Sequence, residues 1–152
     1  MKPVLQAILV ADQVYEDKSG KRIIAGTFNG LAIGCNLGAE LHDQEIFGRR
    51  VAISGVMQAG SPFAYLNLTG LHGATELMLR YVDLADNSVL FQITIQVPSP
   101  ESPLDTIEVT IPLPRLPAPH EGTFALELLC GDDWLGSHRI RVIKLTGPEG
   151  SS

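Results

Sequence analysis

Apolar and polar residues alternate in short runs between residues 74 and 145, and this alternation predicts β-strands. In the run from 89 to 97, apolar residues occupy every odd position and polar residues separate them, with Leu90 as the one exception. The run from 106 to 111 alternates in the same way. Successive side chains of a strand point to opposite faces, so each run buries one face and exposes the other.

The pattern extends over most of the chain and predicts a sandwich. Residues 4–15 are apolar in both phases, as in a strand that is covered on both sides, and residues 22–33 form a second run whose glycines predict bulges or bends. Turn residues separate the runs at the spacing of a two-layer β-fold, and about eight strands result. We therefore expect an all-β protein, an antiparallel β-sandwich that is immunoglobulin-like or C2-like.

Two segments fall outside this alternation. Residues 35–60 predict one long loop or a short helix, and loops of that length are often functional. Residues 112–119 contain four prolines, which predict an extended crossing that cannot join a central ladder. We expect a single sandwich domain over residues 1–146, followed by a disordered tail over residues 147–152.

Charge and composition narrow the possible partners. The formal net charge is −6 and the 11 basic residues are scattered, which argues against nucleic acid or an anionic membrane as partner. The first apolar stretch is too short for a membrane span and lacks the features of a signal peptide. The two cysteines, Cys35 and Cys130, favour free thiols in a reducing compartment, so we expect a cytoplasmic protein.

No motif in the chain predicts catalysis, a cofactor or a metal. Phosphate-binding loops, dinucleotide glycine patterns, zinc spacings and nucleophile elbows are absent from the sequence. The four histidines lie in different segments, and none has a second histidine or a cysteine at ligand spacing. His42, Asp43 and Glu45, with Ser54 or Ser61, are either acid–base machinery or a solvated polar loop. We expect no enzyme, no cofactor and no catalytic residue.

Acidic residues in the predicted turns suggest one alternative function, the binding of calcium or a small ligand. Calcium prefers several carboxylate and carbonyl oxygens, and loops at one end of a β-sandwich can supply them. The candidates are Asp17, Asp83, Asp86, Asp132 and Asp133. If each strand reverses direction, Asp17, Asp132 and Asp133 share one end and can bind calcium or a small ligand. The other interpretation is that each aspartate caps the backbone of its own turn.

Two short stretches carry a resemblance. Residues 10–14 (Val-Ala-Asp-Gln-Val), 18–21 (Lys-Ser-Gly-Lys) and 24–28 (Ile-Ala-Gly-Thr-Phe) form the first. The hairpin over residues 75–97, with the proline-rich segment leading into Gly-Thr-Phe at 122–124, forms the second. Together they resemble a bacterial family of small uncharacterised β-sandwich proteins, a domain of unknown function. The resemblance implies an immunoglobulin-like or C2-like sandwich and no site residues.

The resulting functional expectation is an interaction or assembly module. Trp134 either closes the end of the core or anchors a partner, because exposed tryptophan is favoured at interfaces. We expect a protein partner or a homo-oligomer, bound through a sheet face or a sheet edge. The apolar residues expected on the face opposite the main core are Leu66, Leu90, Leu129 and Ile143.

Overall fold

The chain folds into two β-sheets that pack face to face, as seen in a computed structural model that describes residues 2–33, 56–57 and 61–144. The described residues contain ten strands and no helix. The strands are β1 (Val4–Glu16), β2 (Arg22–Thr27), β3 (Gly30–Ile33), β4 (Val56–Met57), β5 (Phe63–Thr69), β6 (Thr75–Asp83), β7 (Ser88–Val97), β8 (Ile107–Pro112), β9 (Gly122–Cys130) and β10 (Asp133–Lys144). The predicted all-β sandwich is confirmed.

The four-stranded sheet has the order β2-β1-β5-β8, and the six-stranded sheet has the order β4-β3-β10-β9-β6-β7. Every neighbouring pair is antiparallel except β10 with β3 and β3 with β4, which are parallel. The expected antiparallel pairing is wrong for these two pairs of strands. Alternation indicates a strand but not its direction. The loop or short helix expected over residues 35–60 lies outside the described residues, apart from β4.

The main core lies between the sheets and follows the predicted alternation. Leu77, Leu79 and Tyr81 of β6 are almost fully buried, and they pack with Phe124, Leu126 and Leu128 of β9 and with Leu66 and Leu68 of β5. The other face of the four-stranded sheet carries a smaller apolar cluster around Ala11 and Tyr65. This second cluster confirms that β1 is apolar on both faces.

A β-bulge explains the one exception in the β7 pattern. Tyr81 pairs with Phe91 and Val82 pairs with Val89, so Leu90 is the extra residue between the two pairs. An extra residue shifts the phase of a strand by one position. Leu90 accordingly packs against the main core, whereas Val89 is 45% exposed although it shares the odd phase with Phe91.

The segment predicted as one strand over residues 22–33 divides between the two sheets. β2 pairs with β1, and β3 pairs with β10. The division follows Gly26, which adopts φ +76°, and a Cβ at that position would lie 2.6 Å from the Asp12 carboxylate. The glycine therefore permits both the turn of the backbone and its close approach to β1.

The proline-rich segment between β8 and β9 packs against the main core. As predicted, residues 113–121 join no ladder. Leu113 and Leu116 are buried in the main core, and the Leu113 N–H donates to the carbonyl of Pro62 at 2.9 Å. The segment thus packs two leucines into the core without adding a strand.

The two sheets approach closely where β1 faces β10. A Cβ built on Gly136 would lie 2.7 Å from Cδ2 of Leu5, which is shorter than any ordinary carbon contact. Gly136 follows the bulge at Leu135 in β10, and Leu5 precedes a bulge in β1. Glycine at 136 therefore makes room for a side chain from the opposite sheet.

We expect Gly136→Ala to lower the free energy of unfolding by about 1–2 kcal/mol, because the added methyl group overpacks the contact with Leu5. Leu5→Ala alone should cost about 2 kcal/mol by leaving a cavity, yet in that background Gly136→Ala should cost little. Urea denaturation of wild type, the two single variants and the double variant measures the coupling energy between positions 5 and 136. Gly20→Ala is the control, since its cost arises from φ +87° in open space and Leu5→Ala should leave it unchanged. Additive costs for Leu5 and Gly136 would contradict the packing argument.

Candidate functional site

A buried carboxylate and a histidine form the most highly organised polar contact in the described residues. Asp83 ends β6 and is 5% exposed, the one buried charged residue in this part of the chain. His120 Nε2 lies 2.5 Å from Asp83 Oδ2, and His120 Nδ1 lies 2.6 Å from the carbonyl oxygen of Glu121. The histidine ring also packs against Phe124, with 5.3 Å between ring centroids.

The hydrogen bonds favour the charged form of this histidine. A carbonyl and a carboxylate only accept, so both ring nitrogens donate when the ring is protonated. The bond to the Glu121 carbonyl, followed by the bond to Asp83, raises the pKa of His120 above its ordinary value. In the protonated form neither nitrogen keeps a lone pair for proton abstraction or metal binding. The pair ties the β6–β7 turn to the proline-rich segment.

The acidic turn expected at Asp83 is corrected, because Asp83 is the last residue of β6 and its side chain is buried. Asp83 shares the inward phase of Leu79 and Tyr81, and its Oδ1 accepts from the N–H of Ala85 at 3.0 Å. A carboxylate in an inward phase requires a hydrogen-bonding partner. That phase was the available signal, but a partner 37 positions away at His120 could not be identified from spacing.

Tyr81 fills the core beside this pair. Its ring stacks between Phe91 and Phe124, with centroid distances of 5.4 and 5.7 Å. Its hydroxyl is buried and has no hydrogen-bond partner among the described residues. Burial, and secondarily the charge of Asp83, raises the pKa of Tyr81, so the phenol stays neutral.

The acidic turns do not converge as expected. Asp17 Oδ1 accepts from the N–H groups of Ser19 and Lys21 at 2.8 and 2.9 Å, and also from the Ser19 hydroxyl. These bonds lower the pKa of Asp17. Asp86 similarly accepts from the N–H of Ser88 at 3.0 Å. Both aspartates cap their own turns, which is the second of the two interpretations given above.

The expected shared end for Asp17, Asp132 and Asp133 is wrong. Leu5, near the start of β1, contacts Gly136 near the start of β10, whereas Asp17 follows the far end of β1. The 13 residues of β1 span roughly 40 Å. Counting reversals failed because residues 22–33, expected as one strand, form two strands that run in opposite directions, which adds one reversal before β5. Within the described residues, no three acidic, histidine or cysteine side chains come together as metal ligands.

The remaining sequence candidates fall into two groups. His42, Asp43, Glu45, Ser54 and Cys35 lie outside the described residues, so that hypothesis stays a prediction. Ser61 is exposed, and so is His72. His138 Nε2 lies 3.0 Å from the carbonyl oxygen of Phe28 at a half-buried position, and Cys130 is a free thiol that packs against the core as predicted.

A second polar cluster, also missed by sequence analysis, lies on the outer face of the four-stranded sheet. The Tyr65 hydroxyl donates to the Glu108 carboxylate and accepts from Asn67 Nδ2 at 3.2 Å. Burial, followed by the bond to Glu108, raises the pKa of Tyr65. This arrangement holds β5 and β8 together and occupies the Glu108 carboxylate.

The apolar face expected opposite the core is found only in part. Leu66 is completely buried in the main core, and Leu90 packs against the same core, so both were assigned to the wrong face. Leu129 and Ile143 have the phase opposite to the core-facing residues of β9 and β10, as expected, but they are buried at 8% and 2% exposure. Trp134, by contrast, is 54% exposed on β10, so it does not close the core. The four leucine and isoleucine side chains therefore form no exposed patch.

The edges of the sheets differ sharply in how they are protected. Natural edge strands are kept short or carry charges and proline, because unpaired backbone groups invite pairing with another chain. Within the described residues, edge strand β4 covers only Val56–Met57, β2 carries Arg22, and β8 carries Glu108 and ends at Pro112. Edge strand β7 has ten residues, Ser-Val-Leu-Phe-Gln-Ile-Thr-Ile-Gln-Val, with no charge, glycine or proline.

β7 is regular beyond its bulge and exposes its polar face. It pairs with β6 alone in the described part of the chain. Gln92, Thr94 and Gln96 are exposed on the outer face, whereas Ile95 and Val97 are buried on the core side. Among the described residues, strand β7 thus combines an unpaired hydrogen-bonding edge with a neutral outer face.

Comparisons with known proteins add no assignment. No protein-family model matches this chain, and no curated protein matches it. The resemblance to a bacterial β-sandwich family stays a prediction. Within residues 2–33, 56–57 and 61–144, no helix has the length and hydrophobicity needed to cross a membrane.

The Asp83–His120 pair makes stability depend on pH in a defined direction. The folded state raises the pKa of His120 above 6.5, so its stabilising contribution is complete below about pH 6.5 and is lost as pH rises through the raised value. Urea denaturation of wild type and His120→Gln between pH 5.5 and 9 should show the largest difference at the acidic end. His72→Gln, at an exposed histidine in the β5–β6 turn, is the control. A difference that stays flat or grows with pH would rule out the ion pair.

Proposed function

We propose that this chain is a non-enzymatic interaction or assembly module, which binds a protein partner by adding a partner strand to the β7 edge. The observation that supports this proposal is the contrast between β7 and the other three edge strands. Native edge strands normally carry charges, proline or bulges that hinder pairing, and the single bulge of β7 at Leu90 leaves residues 91–97 regular and uncharged. Strand addition uses backbone hydrogen bonds for affinity and side-chain pockets for specificity.

The chemistry of β7 fits such a partner. The exposed outer face offers the amide and hydroxyl groups of Gln92, Thr94 and Gln96, which donate and accept without requiring a charged partner. Gln96 Nε2 already donates to Glu76 Oε2 at 2.7 Å, so the neighbouring acid is engaged within the sheet. The core-facing side of β7 offers aliphatic side chains at the sandwich margin, where an added strand can bury further apolar area.

The Asp83–His120 pair contributes indirectly. It fixes the turn from which β7 begins, because Asn87 N–H donates to the Asp83 carbonyl at 2.7 Å while the Asp83 side chain binds His120. A strand that is already ordered loses less conformational entropy when a partner binds. The pair therefore acts as a support for the binding edge.

A generic strand tests whether this edge accepts a partner. We expect a ten-residue peptide of alternating valine and threonine, flanked by lysines, to bind and to slow amide hydrogen exchange at alternate residues of β7. Thr94→Lys should weaken this binding about tenfold, because an edge lysine obstructs an added strand. Thr27→Lys is the matched control, since it replaces an exposed threonine on edge strand β2 of the other sheet. Protection that is confined to another strand, or no protection at millimolar peptide, would overturn the proposal.

A further inference from the structure

We propose that the partner strand is β7 of a second copy of this chain, paired antiparallel about a two-fold axis at Thr94. This inference rests on the proposed function and specifies its partner. Residues 92–96 read Gln-Ile-Thr-Ile-Gln, a palindrome centred on Thr94. An isologous two-fold interface requires a self-complementary surface, and a palindromic strand provides one directly.

The palindrome places identical residue types opposite each other across the two-fold axis at Thr94. In an antiparallel pair centred on Thr94, Gln92 faces Gln96 of the second copy, and Ile93 faces Ile95. Cross-strand neighbours of this kind interact on each face of a sheet. The exposed outer face then carries amide opposite amide, and the core-facing side carries isoleucine opposite isoleucine. A slip of one residue would place each isoleucine opposite a polar side chain, so the alternation excludes odd shifts, and among the even registers the palindrome favours the one centred on Thr94.

The two ends of the regular ladder are also symmetric about Thr94. The bulge residue Leu90 precedes Thr94 by four positions, and Pro98 follows it by four. In the proposed register these two interruptions face each other, so neither falls within the paired segment. Phe91 and Val97, the last regular pair, are both apolar and on the core side. The regular part of β7 therefore matches its own copy along its full length.

Electrostatics favours this edge over other surfaces for self-association. Two copies with a net charge of −6 repel each other, and that repulsion is weakest where no charged side chain lies. Residues 88–97 contain none. The turn around exposed Trp134, in contrast, carries Asp132 and Asp133, which would oppose the same acids in a second copy. A different protein as partner would not require the palindrome.

The register can be tested with single cysteines in a Cys35→Ser, Cys130→Ser background. Thr94→Cys places two thiols opposite each other at a Cα separation of about 4.5–5.5 Å, within the range of a disulfide. We expect this variant to form a covalent dimer under mild oxidation. Gln92→Cys alone should not crosslink, because its two copies lie roughly 13 Å apart along the strands. A mixture of Gln92→Cys and Gln96→Cys should yield the mixed dimer.

Sedimentation equilibrium tests the same interface without crosslinks. Wild type should dimerise, Thr94→Lys should weaken the dimer at least tenfold by placing two ammonium groups opposite each other, and Thr27→Lys should leave it unchanged. Circular dichroism of each variant confirms folding. A monomeric wild type at several hundred micromolar would overturn the inference.

The outcomes separate this inference from the proposed function. If the wild type is a monomer that still binds the valine–threonine peptide on β7, the proposed function holds and a second copy is excluded as the partner. If the wild type is a monomer and also fails to bind the peptide, both strand addition at β7 and the two-fold dimer are excluded. A dimer that does not crosslink through Thr94→Cys, and that Trp134→Ala dissociates, places self-association on β10 and rejects the two-fold pairing of β7.

Discussion

The burial of one phase of each strand between the two sheets is the constraint on which this structure depends. Tyr81, Phe124 and Leu66 come from three strands and meet in one core, so the register of each ladder is fixed by the side chains that must point inward. Where the inward-facing positions of a strand shift by one residue, a β-bulge with one extra residue accommodates the shift. The extra residue is Gln6 in β1, Leu90 in β7 and Leu135 in β10, and the two leucines still pack against the core.

The same constraint explains what the sequence revealed. Alternation in residues 89–97 and 106–111 was sufficient to identify strands and a two-layer fold, because burial of one face acts on each strand separately. Strand direction was not accessible, since parallel and antiparallel strands bury side chains with the same period. The error about Asp17 and Asp132 has a different cause, because the single strand expected over residues 22–33 is two strands with a reversal between them. The division of residues 22–33 between two sheets depends on the close approach of Gly26 to Asp12, which spacing cannot show.

The polar contacts were less accessible for a related reason. Turn aspartates such as Asp17 bind backbone only two to four residues away, so local sequence was enough to suggest capping. The contact between Asp83 and His120 joins segments that meet only after the six-stranded sheet has formed. The unprotected edge was equally hidden. The composition of β7 is visible in the sequence, but its position at the margin of the sheet is a property of the assembled topology.

The exposure of Trp134 has a practical consequence for spectroscopy. It is the single tryptophan of the chain, and more than half of its surface already faces solvent in the folded state. Its emission is therefore close to that of tryptophan in water before the protein unfolds, and a soluble quencher reaches it in both states. Intrinsic fluorescence would understate the unfolding of this sandwich. Far-ultraviolet circular dichroism, or the near-ultraviolet signal of Tyr81 stacked between Phe91 and Phe124, follows the core itself.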